Sequence, residues 1–376
     1  MFRLVDEGFD IISIGDTSPY GHVWGGSLYL QTDKGNSVLC LPSSQQGQGY
    51  VDYYIKKYGI DLLVIFWDPF NHLKYLKSIN VPQLWYIPVD GPITEKWYEV
   101  VNHVYRIIAY SKYGYNELLK WFPPSRVNLI YHGIDCNVFK PLSEKEKQKA
   151  RETFGIPEDA FVFLNVSANI GTRKHIPHLM LTFSKLTKKH DDVYLYLYTN
   201  SSDYPSGFDI QYFARQFNIE DRVILPPNDP IIDPLEDEDM ALLYGCVDWL
   251  CHSASAEGFC IPLLQSIACG IPVIAVNNSA QTELAEGNGI LVEPSTDYVE
   301  FPLYVPYHTM YRPPSLESLY SAMESAYKLR NTDEYKELCL KAREKALKYD
   351  WSVIIQKWKA LLTEVEEELS MLRSLA

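Results

Sequence analysis

The segment from Tyr244 to Val276 constrains this chain more than any other, because a strand, a turn, a helix and a second strand follow one another without interruption. Tyr244–His252 (YGCVDWLCH) is apolar enough for a buried parallel strand, and Glu257-Gly258 forms the turn beyond it. Pro262 suits the first turn of a helix. The run Pro262–Cys269 (PLLQSIAC) carries that helix to a stop at Gly270, and Pro272–Val276 opens the next strand. The free N–H groups of Phe259, Cys260 and Ile261 then point out of the carboxyl edge of the sheet, backed by the positive end of the helix. Phosphate or a sugar hydroxyl fits such a place.

Strands and helices alternate along the whole chain, as a doubly wound α/β protein requires. The first half offers Asp10–Gly15, Ser37–Leu41, Asp61–Trp67, Pro82–Ile87, Arg106–Ser111 and Val127–Tyr131 as short apolar strands. After a polar helical patch, Ser143–Thr153, a second set follows: Phe161–Val166, Val193–Tyr198, Val223–Leu225, Val247–Cys251, Pro272–Val276 and Gly289–Val292. A chain of 376 residues exceeds the usual size of one core, so two domains are expected.

No apolar run approaches the ~20 residues of a membrane span, and the start MFRLVDEGFD lacks the basic and apolar regions of a signal peptide, which predicts a soluble, cytoplasmic protein. Seven cysteines with no Cys-x-x-Cys pair point to reduced thiols and away from a structural zinc site. Residues 1–141 hold 12 basic and 13 acidic residues, so nearly all of the net charge of −14 lies beyond Pro141. That balance disfavours nucleic-acid binding and offers no polybasic surface to anionic lipid. The acidic run Asp233–Asp239 reads as a solvated loop entering a helix.

The Glu257 segment resembles the nucleotide-sugar signature of retaining glycosyltransferases of family 4, which have the GT-B fold. Glu257, Gly258, Phe259, Ile261 and Pro262 match; Cys260 stands where Gly is usual and Gln265 where a second Glu would be. The stretch His132-Gly133-Ile134-Asp135 to Phe139 and Pro141 is similar to the family's interdomain linker, and Tyr349-Asp350-Trp351-Ser352 to its closing motif and final helix. The resemblance implies two Rossmann-like doubly wound domains facing across a cleft. Residues 1–141 with the returning helix 353–376 would form the acceptor domain, and 142–352 the nucleotide-sugar donor domain.

The same resemblance implies the site. Arg173 and Lys174, in the loop after Phe161–Ser167, would neutralise the donor diphosphate; Glu257 and the N–H groups of Phe259 and Cys260 would orient the sugar, with Gly258 and Ile261 beside them. Gln265 would meet the ribose with one neutral acceptor, weakening that contact by roughly 1–2 kcal/mol relative to a carboxylate. Gly25 and Gly26, in the loop Thr17–Ser27, would let backbone approach the phosphates, and Asp90 would stand on the acceptor side where family members often carry His. The glycine spacing is not that of a dinucleotide fold, which disfavours hydride transfer with a nicotinamide. His22, His132 and His252 lie at strand ends and are weaker candidates for ligand contact. The segment Tyr298–Pro314 reads as a lid, an acceptor contact or an oligomer surface.

The expected function is transfer of a sugar from a nucleoside-diphosphate sugar to a hydroxyl acceptor with retention at the anomeric carbon, without metal or other cofactor. Two alternatives share the architecture: a nucleotide-sugar 2-epimerase, and a binding protein that has lost turnover.

Overall fold

A computed structural model of the chain describes residues 2–15, 28–32, 34–42, 51–66, 77–202, 207–297, 299 and 310–375. The second half is a six-stranded, all-parallel sheet built from β8 (Phe161–Val166), β9 (Val193–Tyr198), β10 (Val223–Ile224), β11 (Trp249–His252), β12 (Val273–Val276) and β13 (Gly289–Val292), in the order β10-β9-β8-β11-β12-β13. Relative to its own first strand this is the 3-2-1-4-5-6 order of a dinucleotide-type domain. The central strands are apolar on both faces because helices cover both; β11 and β12 are buried at every residue.

In the first half the described strands fall in two sheets. Among the described residues β4 (Leu63–Phe66), β5 (Gln83–Ile87), β6 (Arg106–Ala109) and β7 (Val127–Leu129) form one parallel sheet. A second, mixed sheet has β3 (Ser37–Pro42) parallel to β1 (Ile12–Gly15) and antiparallel to β2 (Leu28–Gln31). Strand β2 has no counterpart in the sequence reading, because four residues give too short a pattern. Another expectation fails at Tyr244 and Gly245, which end the helix Asp237–Gly245 instead of starting β11. An unbroken apolar stretch cannot by itself separate a buried helix end from a strand start.

The halves are joined by two adjacent crossings. Ile134 and Asp350 form an isolated parallel bridge, in which Ile134 N donates to Tyr349 O at 2.9 Å and Trp351 N to Ile134 O at 3.0 Å. Cys136 N donates to Asp350 Oδ2 at 3.1 Å, and the other oxygen of Asp350 accepts from Ser352 N at 2.8 Å. The linker and the closing motif are therefore one structural unit. From it the helix Trp351–Leu375 runs over the first half, where Glu368 accepts from Arg106 and from Tyr105 Oη at 2.7 Å, and Trp358 stacks edge-on against Tyr86. One buried apolar cluster includes Leu84 and Ile108 of the first half with Leu250 and Phe259 of the second. No helix among the described residues is long and apolar enough to cross a membrane.

Candidate functional site

Strands β8 and β11 lie side by side at the point where the chain order reverses, the place where ligands of open α/β sheets bind. The loops that follow them are stitched together: Ser255 N donates to Arg173 O at 2.9 Å and Ser253 Oγ to Lys174 O at 2.7 Å. Deeper in the sheet Asn165 Nδ2 donates to Cys251 O at 2.8 Å.

Three side chains, two of them cationic, meet on one buried carboxylate. Arg173 Nη1 is 3.0 Å from Glu257 Oε2, Lys174 Nζ pairs with Glu257 Oε1, and His252 Nε2 is 3.1 Å from the same oxygen. Burial opposes ionisation of Glu257, yet the Lys174 ammonium and the Arg173 guanidinium outweigh it and hold the carboxyl well below its ordinary range. Both predicted cations thus face one carboxylate, and neither points away. A third of the Arg173 side chain stays exposed. Across the cleft Asp90 accepts a hydrogen bond from Tyr311 Oη at 2.8 Å. Burial works against the Arg173 charge, while Glu257 first and Asp90 next favour it, so that Arg173 is held firmly cationic.

Gly258 has a role the sequence reading did not foresee. A Cβ there would come within 2.9 Å of Pro88 Cβ and 3.1 Å of Tyr110 Cε2, so glycine lets the Glu257 loop touch the first half. The Phe259 ring is buried between the halves, with His132 at 4.9 Å, Tyr131 at 6.3 Å and Tyr349 at 6.2 Å between ring centroids. Ile261 opens the helix Ile261–Ala268 and is half exposed. Gln265 Oε1, the acceptor expected at the ribose, accepts from the buried Tyr244 hydroxyl at 3.0 Å.

Cys260 precedes that helix in the left-handed region, at φ 77. This is the physical reason glycine suits the position; a side chain there costs about 1–2 kcal/mol. Cys260→Gly is expected to stay within about 1 kcal/mol of the natural stability, since relief of strain offsets lost packing. Cys260→Ala keeps the strain while losing the sulfur, so urea unfolding should rank Ala below Gly, the reverse of the usual order.

Gly25, Gly26 and His22 lie outside the described residues, as does most of Tyr298–Pro314; Tyr311 is the described member of that segment that reaches the site. His252 was a weaker candidate and proves to touch Glu257, whereas Ser279, whose Oγ accepts from Glu257 N at 2.8 Å, and Glu283 were missed. His252, Glu257 and Cys260 also bring one ligand atom each within 4.8 Å of one another. The Glu257 oxygen nearest His252 is the one Lys174 holds, and a cation there would meet that ammonium and Arg173.

Buried neutral histidines make the fold acid-sensitive. Burial lowers His132, which accepts from or donates to Tyr86 Oη at 2.9 Å, to about 4. It lowers His175 to about 3 and also depresses His252. Groups with depressed folded pKa values take up protons preferentially in the unfolded chain, so stability falls as pH drops below about 6.5 and goes on falling toward pH 4. Between pH 6 and 5 the loss should be about 2 kcal/mol from His132 and His175 together. Urea midpoints measured across that interval check this; a flat profile would show that the rings are not buried neutral.

A parallel six-stranded domain packed against a second α/β half, with a charged cluster at the strand ends between them, is the GT-B architecture. Residues 146–301 match the family described as Glycosyl transferases group 1. A D-inositol 3-phosphate glycosyltransferase 2 of Catenulispora acidiphila is 28% identical over 204 residues, covering 52% of this chain and 45% of the relative. The chain spans about half the length of the curated relatives it matches. The fold is similar to that of sucrose-phosphate synthase from Thermosynechococcus elongatus, with a TM-score of 0.71, 16% identity, and coverage of 97% of this chain and 91% of that one. It is also similar to Anabaena HepE in complex with UDP, with a TM-score of 0.65, 17% identity and 86% of each chain covered.

Proposed function

We propose that the protein transfers a sugar from a nucleoside-diphosphate sugar to a hydroxyl acceptor with retention of anomeric configuration, and that it does so without a metal ion. The observation that carries this reading is the convergence of Arg173 and Lys174 on buried Glu257 at the switch point of the six-stranded sheet. Fixed cations aimed at the place where a diphosphate would leave stabilise its developing charge without reorganising in the transition state. Glu257, already ionised, orients the sugar; Asp90 faces it from the first half and receives the acceptor hydroxyl. Residues 1–141 with 353–376 serve as the acceptor side and 142–352 as the donor side. HepE, a protein of similar fold, is solved in complex with UDP, which supports a nucleotide as the ligand.

Thermal-shift measurements with UDP, GDP and ADP sugars test the reading, since a ligand that binds only the folded state raises the melting temperature. One of the three should do so, and donor-dependent release of free nucleoside diphosphate should follow. Binding without release would leave a nucleotide-sugar binding protein, and conversion of UDP-GlcNAc to UDP-ManNAc would make the protein an epimerase.

A further inference from the structure

The short helix Ser279–Ala285 grips the site loop at its start and the opposite half of the molecule one turn later. At its start Ser279 Oγ accepts from Glu257 N at 2.8 Å and Ala280 N donates to Glu257 O at 3.4 Å, so the Glu257 backbone is held at both its N–H and its carbonyl. Ser279 adopts φ 53, a conformation a serine keeps only when its surroundings fix it. One turn on, Glu283 reaches across the cleft. Its Oε1 accepts from Lys112 N at 2.9 Å, the first residue of the helix Lys112–Leu118, and its Oε2 accepts from Tyr131 Oη at 3.2 Å. Behind the helix, Lys345 Nζ donates to Glu283 O at 2.7 Å and Glu286 O at 2.6 Å from the helix Asp333–Leu347, which leads to the paired crossings.

A helical turn is stiff and rises only about 5.4 Å, so a displacement at Glu283 is delivered to Ser279 with little loss. We infer that Glu283 is a positioning residue for Glu257: its two bonds to the first half draw the helix to the place where Ser279 sets the Glu257 backbone. The carboxylate that faces Arg173 and Lys174 is thereby placed by contact between the halves and not by its own loop alone. Burial pushes the Glu283 carboxyl upward, in keeping with a group whose solvation has been exchanged for these bonds. The inference concerns placement and is independent of the ligand the cleft takes.

Hydrogen exchange of the full chain, read by mass spectrometry, tests it. In Glu283→Ala, peptides spanning 110–118 and 253–260 should both exchange about tenfold faster or more, while β8 (161–166) stays unchanged. Glu283→Gln should restore both peptides to within about twofold, because the amide oxygen still accepts from Lys112 N and the amide NH₂ donates to Tyr131 Oη. Faster exchange at 110–118 alone would reduce Glu283 to a cap on one helix and overturn the inference; no change at either peptide would do the same. Should the Ala substitution also loosen β8, Tyr131→Phe removes only one bond, and its 253–260 peptide must then exchange faster than in the natural protein for the inference to stand.

Discussion

Arg173→Ala combined with Lys174→Ala is expected to destabilise the protein by about 3–5 kcal/mol at neutral pH, before any ligand is added. The cost comes from what remains: Glu257 would stay buried with neither cation beside it, and an uncompensated buried charge is worth that much. Its carboxyl should then titrate well above its present range, so that the double variant regains stability as pH falls through the new value, opposite in sign to the histidine effect. Adding Glu257→Gln should recover most of the loss, because the amide carries no charge to strand. Urea unfolding of the double and triple variants measures both steps, and equal stabilities would show that the cluster is not coupled. Nucleoside-diphosphate binding should be lost in both, since the cations are absent from each; retention in the triple variant would remove Arg173 and Lys174 from the phosphate role.

Gly133→Ala should be nearly as damaging, for a steric reason. A Cβ at this position would lie 2.3 Å from Trp351 Cδ2 and 2.5 Å from Cε3, inside the ring system that starts the long helix. Neither partner has room to yield, because Ile134 and Trp351 are bonded to each other and Asp350 is fixed by Cys136 N. Overpacking of a rigid contact costs about 1–3 kcal/mol, and loss of the paired crossings would add to it. Trp351→Leu should be destabilising alone but should partly rescue Gly133→Ala, giving a coupling energy above about 1 kcal/mol in a double-mutant cycle. Simple additivity would mean that the two residues do not touch in solution.

The contrast between these two places shows what a sequence can reveal. Glu257 and Gly258 were legible because their surroundings are local: an apolar strand, a turn and a proline-led helix leave one place for the acid. Arg173 and Lys174, one strand away, were named from the family resemblance. Their convergence on Glu257 was not legible, since Lys174 and Glu257 are 83 positions apart and only the neighbouring order of β8 and β11 joins them. Gly133 was marked by resemblance to a linker, but its reason, the Trp351 ring, lies more than two hundred residues on. Gly258 was read as a turn residue beside the sugar, and its packing against Pro88 lay beyond the sequence. Tyr311 was marked only as part of a tyrosine-rich stretch and Glu283 not at all, because such a stretch and a single acid in a short helix take their meaning from Asp90, Lys112 and Tyr131 on the other half.

The helix Trp351–Leu375 also bears on how the chain reaches its fold during synthesis. Tyr86 and Arg106 sit in strands that the ribosome finishes early, yet Trp358 and Glu368, which cover and neutralise them, lie about 260 residues later. At ~5–20 residues per second the first half must wait tens of seconds with that face uncovered. The six-stranded half, whose strands are contiguous in sequence, can meanwhile complete itself. The first half is thus completed after the second, and a chaperone that shields the Tyr86 face during that interval would bind nascent chains and release them once the helix Trp351–Leu375 has emerged.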